Sequence, residues 1–185
     1  MHQIKTERLL LRAYQPTDAS RVYNFILNNQ EQFQQYFSLL LELDNLEKCT
    51  EFIQNQIHAI EDKTKLVYGI FDSVQDIYLG QIFLRDIEWI VPKGQIGYFI
   101  DKNWQGKGIA TEALKVFSQH CFDVWGLEKL YLRTGLENIA SQKVALKAGF
   151  ELEGTLKSDF RTADNQLIDV YYYGKTKTTA PIMEL

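Results

Sequence analysis

The spacing of apolar positions changes several times along the chain, and each change marks a structural element. Arg8-Leu9-Leu10-Leu11-Arg12 is a compact apolar run that reads as a strand, and the polar residues Gln15-Pro16-Thr17-Asp18 then mark a turn and a helix start. Val22, Tyr23, Phe25, Ile26 and Leu27 recur at helical spacing. A second helix is expected to start near Asp44, where Asp44 and Glu47 have the Asp-x-x-Glu spacing of an N-terminal cap, and to carry Leu46, Cys49, Phe52, Ile53, Gln56, Ile57 and Ile60. Between the two helices, residues 30–43 mix Gln, Phe, Tyr and Leu without a clean period, which suits either plain packing or the wall of a substrate pocket.

From Lys65 onward the texture becomes β-rich. Residues 66–71 and 77–84 form two runs around Asp72-Ser73-Val74-Gln75-Asp76, a hairpin turn, and Pro92-Lys93-Gly94 is read as a further break. Residues 95–101 form another strand, which leads through 102–107 into a helix carrying Ala110, Ala113, Leu114, Phe117, Cys121, Phe122 and Val124 and ending at Trp125-Gly126. A strand over 129–133, a helix over 139–148 stopped by Gly149, and two strands joined around Thr162-Ala163-Asp164-Asn165 complete the pattern. The order is β-α-α-β-β-β-α-β-α-β-β, an α+β chain that is antiparallel in the middle. Only the passage from 95 to 133 demands a parallel pair.

Composition narrows the classes. The chain has 185 residues, 45% of them hydrophobic and 24% charged, which fits one globular domain spanning 1–185. Its net charge of -4, with no basic run, argues against direct nucleic-acid binding. No apolar stretch is long enough for a membrane span, and the first residues do not open a secretory signal, so a cytoplasmic protein is expected. Cys49 and Cys121 stand outside any ligand cluster, and His2, His58 and His120 share no ligand spacing. Reduced thiols and no metal are expected.

Gln105-Gly106-Lys107-Gly108-Ile109-Ala110 is the most informative stretch, because it joins a strand to a helix start. Small residues there let the backbone curl closely around a ligand, and exposed amides at the positive end of a helix dipole suit a phosphate or pyrophosphate. A glycine-rich turn that only reverses the chain would look the same. The P-loop spacing is absent, and Thr111 stands where the dinucleotide fingerprint needs its third glycine.

These residues resemble the Gln/Arg-x-x-Gly-x-Gly/Ala loop of the GCN5-related N-acetyltransferase (GNAT) family. Ile96-Gly97-Tyr98-Phe99-Ile100 resembles the family's central strand. Glu137-Asn138-Ile139-Ala140-Ser141 and Lys147-Ala148-Gly149-Phe150 resemble its later Asn-x-x-Ser and Gly-Phe signatures. Thr6-Glu7-Arg8-Leu9-Leu10-Leu11-Arg12 is similar to the first strand of the RimJ/RimL-like branch, which acetylates ribosomal-protein N-termini. The resemblance implies a mixed, mostly antiparallel sheet flanked by helices. It also implies that two splayed central strands hold acetyl-CoA through Gly97, Tyr98, Phe99, Gln105, Gly106, Lys107, Gly108, Ile109, Ala110, Asn138 and Ser141.

Acetyl transfer to an amine further requires an oxyanion site, a base for the amine and an acid for the departing thiolate. Backbone amides at Gly97 and Tyr98, near a bulge, are the oxyanion candidates. For the base, Asp86 and Glu88 are the acidic residues closest to the end of the preceding strand, and Glu88, between Ile87 and Trp89, is preferred. The resemblance assigns the acid to Ser141 and a cofactor contact to Asn138, while helix capping explains the same pair equally well. Lys143 and Lys147 suit either phosphate contact or a solvated helix face. Asp159, Arg161 and Asp169 are candidates for the rim of the amine site, and Tyr171-Tyr172-Tyr173 and His120 are read as packing residues.

The expected partners are acetyl-CoA and an amine, foremost a protein N-terminal α-amine. The alternatives are a small amine (polyamine, amino acid or antibiotic) and a non-catalytic acetyl-CoA sensor. Monomer and homodimer both stay open.

Overall fold

In a computed structural model that describes residues 3–178, the strands are β1 (Ile4–Lys5), β2 (Leu9–Arg12), β3 (Leu66–Asp72), β4 (Tyr78–Glu88), β5 (Lys93–Ile100), β6 (Lys129–Gly135), β7 (Glu151–Arg161) and β8 (Leu167–Thr176). The helices are α1 (Ala19–Asn28), α2 (Gln30–Tyr36), α3 (Leu46–Glu61), α4 (Ile109–Asp123) and α5 (Ile139–Lys147). The strands form one sheet in the order β1-β2-β3-β4-β5-β6-β8-β7, and every neighbouring pair is antiparallel except β5 and β6. The α+β reading and the parallel passage both hold.

The two faces of the sheet carry separate cores, because successive side chains of a strand point to opposite sides. In β3, Leu66, Tyr68 and Ile70 join a core built on α4, with Ala113, Leu114, Phe117 and Cys121, while Val67 and Phe71 join a core built on α1, α2 and α3, with Phe25, Phe33 and Ile53. That is why β3 reads as an unbroken apolar run: both of its faces are covered. Cys49 and Cys121 lie one in each core, both buried and unpaired with each other.

Local chemistry shifts several expected boundaries. Asn45, rather than Asp44, caps α3, with its Oδ1 accepting from the Lys48 amide at 3.0 Å, while Asp44 forms an ion pair with Lys48 at 2.9 Å. Residues 30–43 form α2 and a 3-10 turn, Ser38–Glu42, that fold back over the second core. Lys93 and Gly94 do not break the chain but open β5, where they pair with Lys129 and Leu130. The helix α5 ends as expected, with Gly149 just past it at φ +83°.

The feature that positions the site is a fork. Parallel pairing of β5 with β6 runs from Lys93–Lys129 to Gln95–Tyr131 and stops there. Beyond it, β5 stays with β4 as far as Ile100–Gly80, and β6 stays with β8 as far as Gly135–Val170, so the two strands part around an opening.

Candidate active site

One side of the fork is built by backbone. Gly106 and Gly108 take left-handed φ values of +74° and +81°, and Gly108 is the N-terminal cap of α4 with no side-chain cap of its own. The first-turn amides of a 15-residue helix are therefore aimed at the loop without an internal acceptor, which is the arrangement an anion needs. Gln105 ties the loop down, its Nε2 donating to Gln32 Oε1 at 2.6 Å and to the Ile100 carbonyl at 3.2 Å. Arg8 braces it from behind by donating to the Lys107 carbonyl at 3.2 Å and pairing with Glu112 in the first turn of α4. Gln105, Gly106, Gly108, Ile109, Ala110 and Thr111 line a cavity of about 440 Å³ that continues along Lys143, Val144 and Lys147 of α5. Amides at one wall and two ammonium groups at the other fit the pyrophosphate and phosphate of acetyl-CoA, and the parted strands fit its extended arm.

A second cavity, of about 430 Å³, opens on the other side of β5. Phe37, Tyr98, Phe99, Asn138 and Ser141 line both cavities, so the two meet at the point where β5 faces the start of α5. Asn138 caps α5, its Oδ1 accepting from the Ser141 amide at 3.0 Å, and the cap presents the serine at the junction. Tyr98 Oη is buried without a hydrogen-bond partner of its own; burial pushes the phenol up to about 12, with the neighbouring Ser141 hydroxyl acting against that rise. The phenol thus stays protonated at neutral pH. Gly97 is a glycine for a packing reason, since a Cβ there would lie 2.3 Å from the Phe83 ring.

The second cavity differs in chemistry. Lys65, Arg85, Arg133 and Arg161 line it together with Gln56, Gln81 and Gln95, and aromatic residues Phe37, Phe52, Phe83 and Phe160 complete the wall. Among the described residues, no Asp, Glu or His lines either cavity. Surrounding cations disfavour an ammonium ion, so an amine entering here loses its proton more readily than it does in water.

Glu88 is not brought to the junction. Arg85 pairs with Gln95 and Glu88 with Lys93, so β4 carries one extra residue between them, and Asp86 sits in this bulge at φ +51°. The bulge breaks the alternation that would place Asp86 and Glu88 on one face. Glu88 instead stands at the far end of the hairpin in an ion pair with Lys93 at 3.0 Å, its side chain 46% exposed. No irregularity interrupts the pairing of Gly97 and Tyr98 with β4, so the opening beside them comes from the fork rather than from a bulge in β5. Lys107 contributes its carbonyl to Arg8 and lays its ammonium over Trp104 at 4.5 Å, outside the cavity lining.

Of the rim candidates, Arg161 lines the second cavity, and Asp159 supports it indirectly through Arg133 at 2.7 Å. Asp169 pairs with Lys157 away from the cavity. Phe37 and Leu40 of the 30–43 segment both pack and line it. Tyr173 is buried, Tyr172 stacks on Tyr131 with ring centroids 4.9 Å apart, and His120 lies against Tyr68, in keeping with packing roles. Lys65, Arg85 and Arg133 were not singled out by sequence; the only signal was their position at strand ends or on alternating strand faces.

Known proteins agree with this geometry. The chain is 28% identical over 152 residues to the ribosomal-protein-serine acetyltransferase of Escherichia coli strain K12, covering 82% of this chain and 84% of the relative. It is 35% identical over 81 residues, 44% of each chain, to the spermidine N(1)-acetyltransferase of the same strain. The solved structure of RimL, a ribosomal L7/L12 alpha-N-protein acetyltransferase in complex with coenzyme A, superposes with a TM-score of 0.87 at 24% identity, covering 95% of this chain and 98% of that one, and so shares the fold. Residues 8–151, most of the chain, match the acetyltransferase (GNAT) domain, and the protein belongs to that family of acetyl-CoA-dependent N-acetyltransferases.

Proposed function

We propose that the amine acetylated is a protein N-terminal α-amine, which attacks directly while both substrates are bound. The observation that carries this reading is the second cavity, lined by Lys65, Arg85, Arg133 and Arg161 and, among the described residues, by no carboxylate or imidazole. An α-amine has a pKa of about 8, against about 10.4 for a lysine-type amine, so it needs only a small push to be neutral at pH 7. Lys65 and Arg161, which have no carboxylate partner among the described residues, supply that push without a general base, and the proton leaves to water. A polyamine would bring several positive charges to a wall with no carboxylate. The 28% identical relative that acts on a ribosomal protein's serine supports the same substrate class.

When bound, acetyl-CoA supplies an acetyl group activated as a thioester. The first-turn amides of α4, with Lys143 and Lys147, would hold its phosphates; the strand backbone at Gly97 and Tyr98 would serve the thioester carbonyl; and Ser141, beside the protonated Tyr98 phenol, would donate a proton to the thiolate. Phe37 and Phe99 help exclude water where the cavities meet.

The test is thiol release with an amine panel. Peptides with a free N-terminus should be acetylated with kcat/KM at least about 100-fold above that for spermidine at pH 7, a factor comparable to the difference in neutral-amine fraction implied by the two pKa values. Faster turnover of spermidine than of any peptide would replace this reading with the polyamine one.

A further inference from the structure

Buried polar atoms without a partner are uncommon in folded proteins, and their placement is informative. Among the described residues five side-chain atoms are in this state, and four of them, Arg85 Nε, Tyr98 Oη, Arg133 Nε and Thr134 Oγ1, belong to residues that line the second cavity. Tyr98 is accounted for by the junction with Ser141. The two arginines are not used by any step of acetyl transfer.

Arg85 and Arg133 flank Gln95 across three adjacent strands. Arg85 is the register partner of Gln95, and Arg133 Nη2 donates to Gln95 Oε1 at 2.9 Å. Arg133 is held in place from the other side by Asp159, at 2.7 Å to Nη1, and its Nε is buried away from the cavity. Arg85 is looser. Asp86 comes no closer than 3.6 Å to Nε, and none of the described residues accepts a hydrogen bond from either terminal nitrogen of Arg85. Nearby, Lys65 and Arg161 have no carboxylate partner among the described residues, so the two ion-paired arginines and these two free cations leave the wall with an excess of positive charge. This excess faces the amine side, on the opposite side of the junction from the loop and helix that suit the cofactor's phosphates.

We infer that the acetylated α-amine belongs to a molecule that carries a carboxylate close to that amine, and that Arg85 and Arg133 bind the carboxylate. The side chain of Arg85 is 39% exposed, and its terminal N–H groups, which none of the described residues engages in a hydrogen bond, suit a carboxylate. Arg133, fixed by Asp159 and Gln95, adds its positive charge beside them. The inference rests on the α-amine reading above and adds the chemistry of the neighbouring group. In a peptide that group is an acidic side chain at the second or third position; in a free amino acid it is the α-carboxylate.

The experiment compares acid and amide pairs of equal size on the intact enzyme with saturating acetyl-CoA: the C-terminally amidated peptides Ser-Asp-Ala and Ser-Asn-Ala, and free serine with serinamide. The acid of at least one pair should show kcat/KM about 10-fold or more above its amide, the size expected of a hydrogen bond to a charged group. The pair that shows it identifies the source of the carboxylate. The preference should shrink as salt is added and fall to about twofold or less in Arg85→Gln, whose acetyl-CoA affinity by calorimetry stays at the wild-type value. Arg133→Lys keeps the charge but loses the fork, and should lose part of the preference. Equal rates within both pairs, with peptides still acetylated, would overturn this inference and leave the α-amine reading standing. Failure of every α-amine beside rapid turnover of spermidine would remove both.

Discussion

The cavity that suits the cofactor takes most of its lining from two stretches of chain, 98–111 and 138–147, with a helix-start backbone at one wall, whereas the cavity proposed for the amine is made by side chains gathered from positions between 37 and 170. The first presents helix-start amides to a ligand whose phosphates do not vary. The second presents arginines, a lysine, glutamines and phenylalanines, any of which can change without disturbing a helix cap or a tight turn. A fold that separates these tasks can keep one cosubstrate and change the other. Tyr98, Phe99, Asn138 and Ser141 stand where the two cavities touch, the place proposed above for the chemistry.

The junction is the place to break this comparison most severely. Ser141→Ala should lower kcat about 100-fold or more, as removal of a proton donor does, while acetyl-CoA affinity changes by about twofold or less. The bond from the Ser141 amide to Asn138 Oδ1 uses backbone, so the substitution leaves the helix cap intact, and unchanged thermal unfolding checks this. A loss of cofactor affinity with little change in kcat would move Ser141 into the cofactor half.

A change confined to the cofactor half should act on binding. Gly108→Val forces a branched residue into φ +81°, and no group nearer than Arg8 at 3.7 Å crowds the site, so the penalty is conformational rather than steric. Left-handed backbone costs an L-residue about 1–2 kcal/mol, and the loop can relax only by moving its amides, so acetyl-CoA should bind about 5- to 30-fold more weakly by calorimetry. Peptide specificity should be unaltered. Wild-type affinity in a folded variant would show that the left-handed loop does not hold the cofactor.

The smallest effect expected is at Glu88, which belongs to neither half. Glu88→Gln should leave kcat, KM and the pH profile at wild-type values, because its carboxylate is paired with Lys93 away from both cavities. In wild-type and variant alike, kcat/KM should rise as the substrate amine deprotonates. It should then level off without an acid-group limb in the neutral range, because the buried Tyr98 phenol, with its pKa pushed up to about 12, stays protonated well above the pH at which an α-amine is neutral. A low-pH limb that disappears in the variant would restore Glu88 as the base.

Legibility followed the same division. The loop was readable because each of its requirements is local: glycines where φ must be positive, a strand before and a helix after, and an Asn three residues ahead of a Ser at a helix start. The amine half was hardly readable. Arg85 and Arg133 are 48 positions apart in the sequence and come together only through Gln95 on a third strand. The preference for Glu88 rested on its place near the end of β4 between Ile87 and Trp89, and the residue inserted at Asp86 leaves it at the far end of the hairpin, paired with Lys93. The contribution of residues 30–43 was likewise hidden, because Phe37 and Leu40 acquire their role from the sheet they fold over rather than from any period of their own.

By itself the sequence determined the order of the helices and strands apart from β1 and α2, the parallel passage, the α+β class and the loop at 105–110, and it offered Asn138 as a cap. These rest on spacing, turn chemistry and backbone preference, which act over a few residues. The tertiary structure alone decided where β5 and β6 part, that Tyr98 and Ser141 meet at the junction of two cavities, and that the second cavity is lined by cations and, among the described residues, by no carboxylate. Those outcomes depend on which strands become neighbours and in what register, and register is set by how both faces of the whole sheet are buried at once.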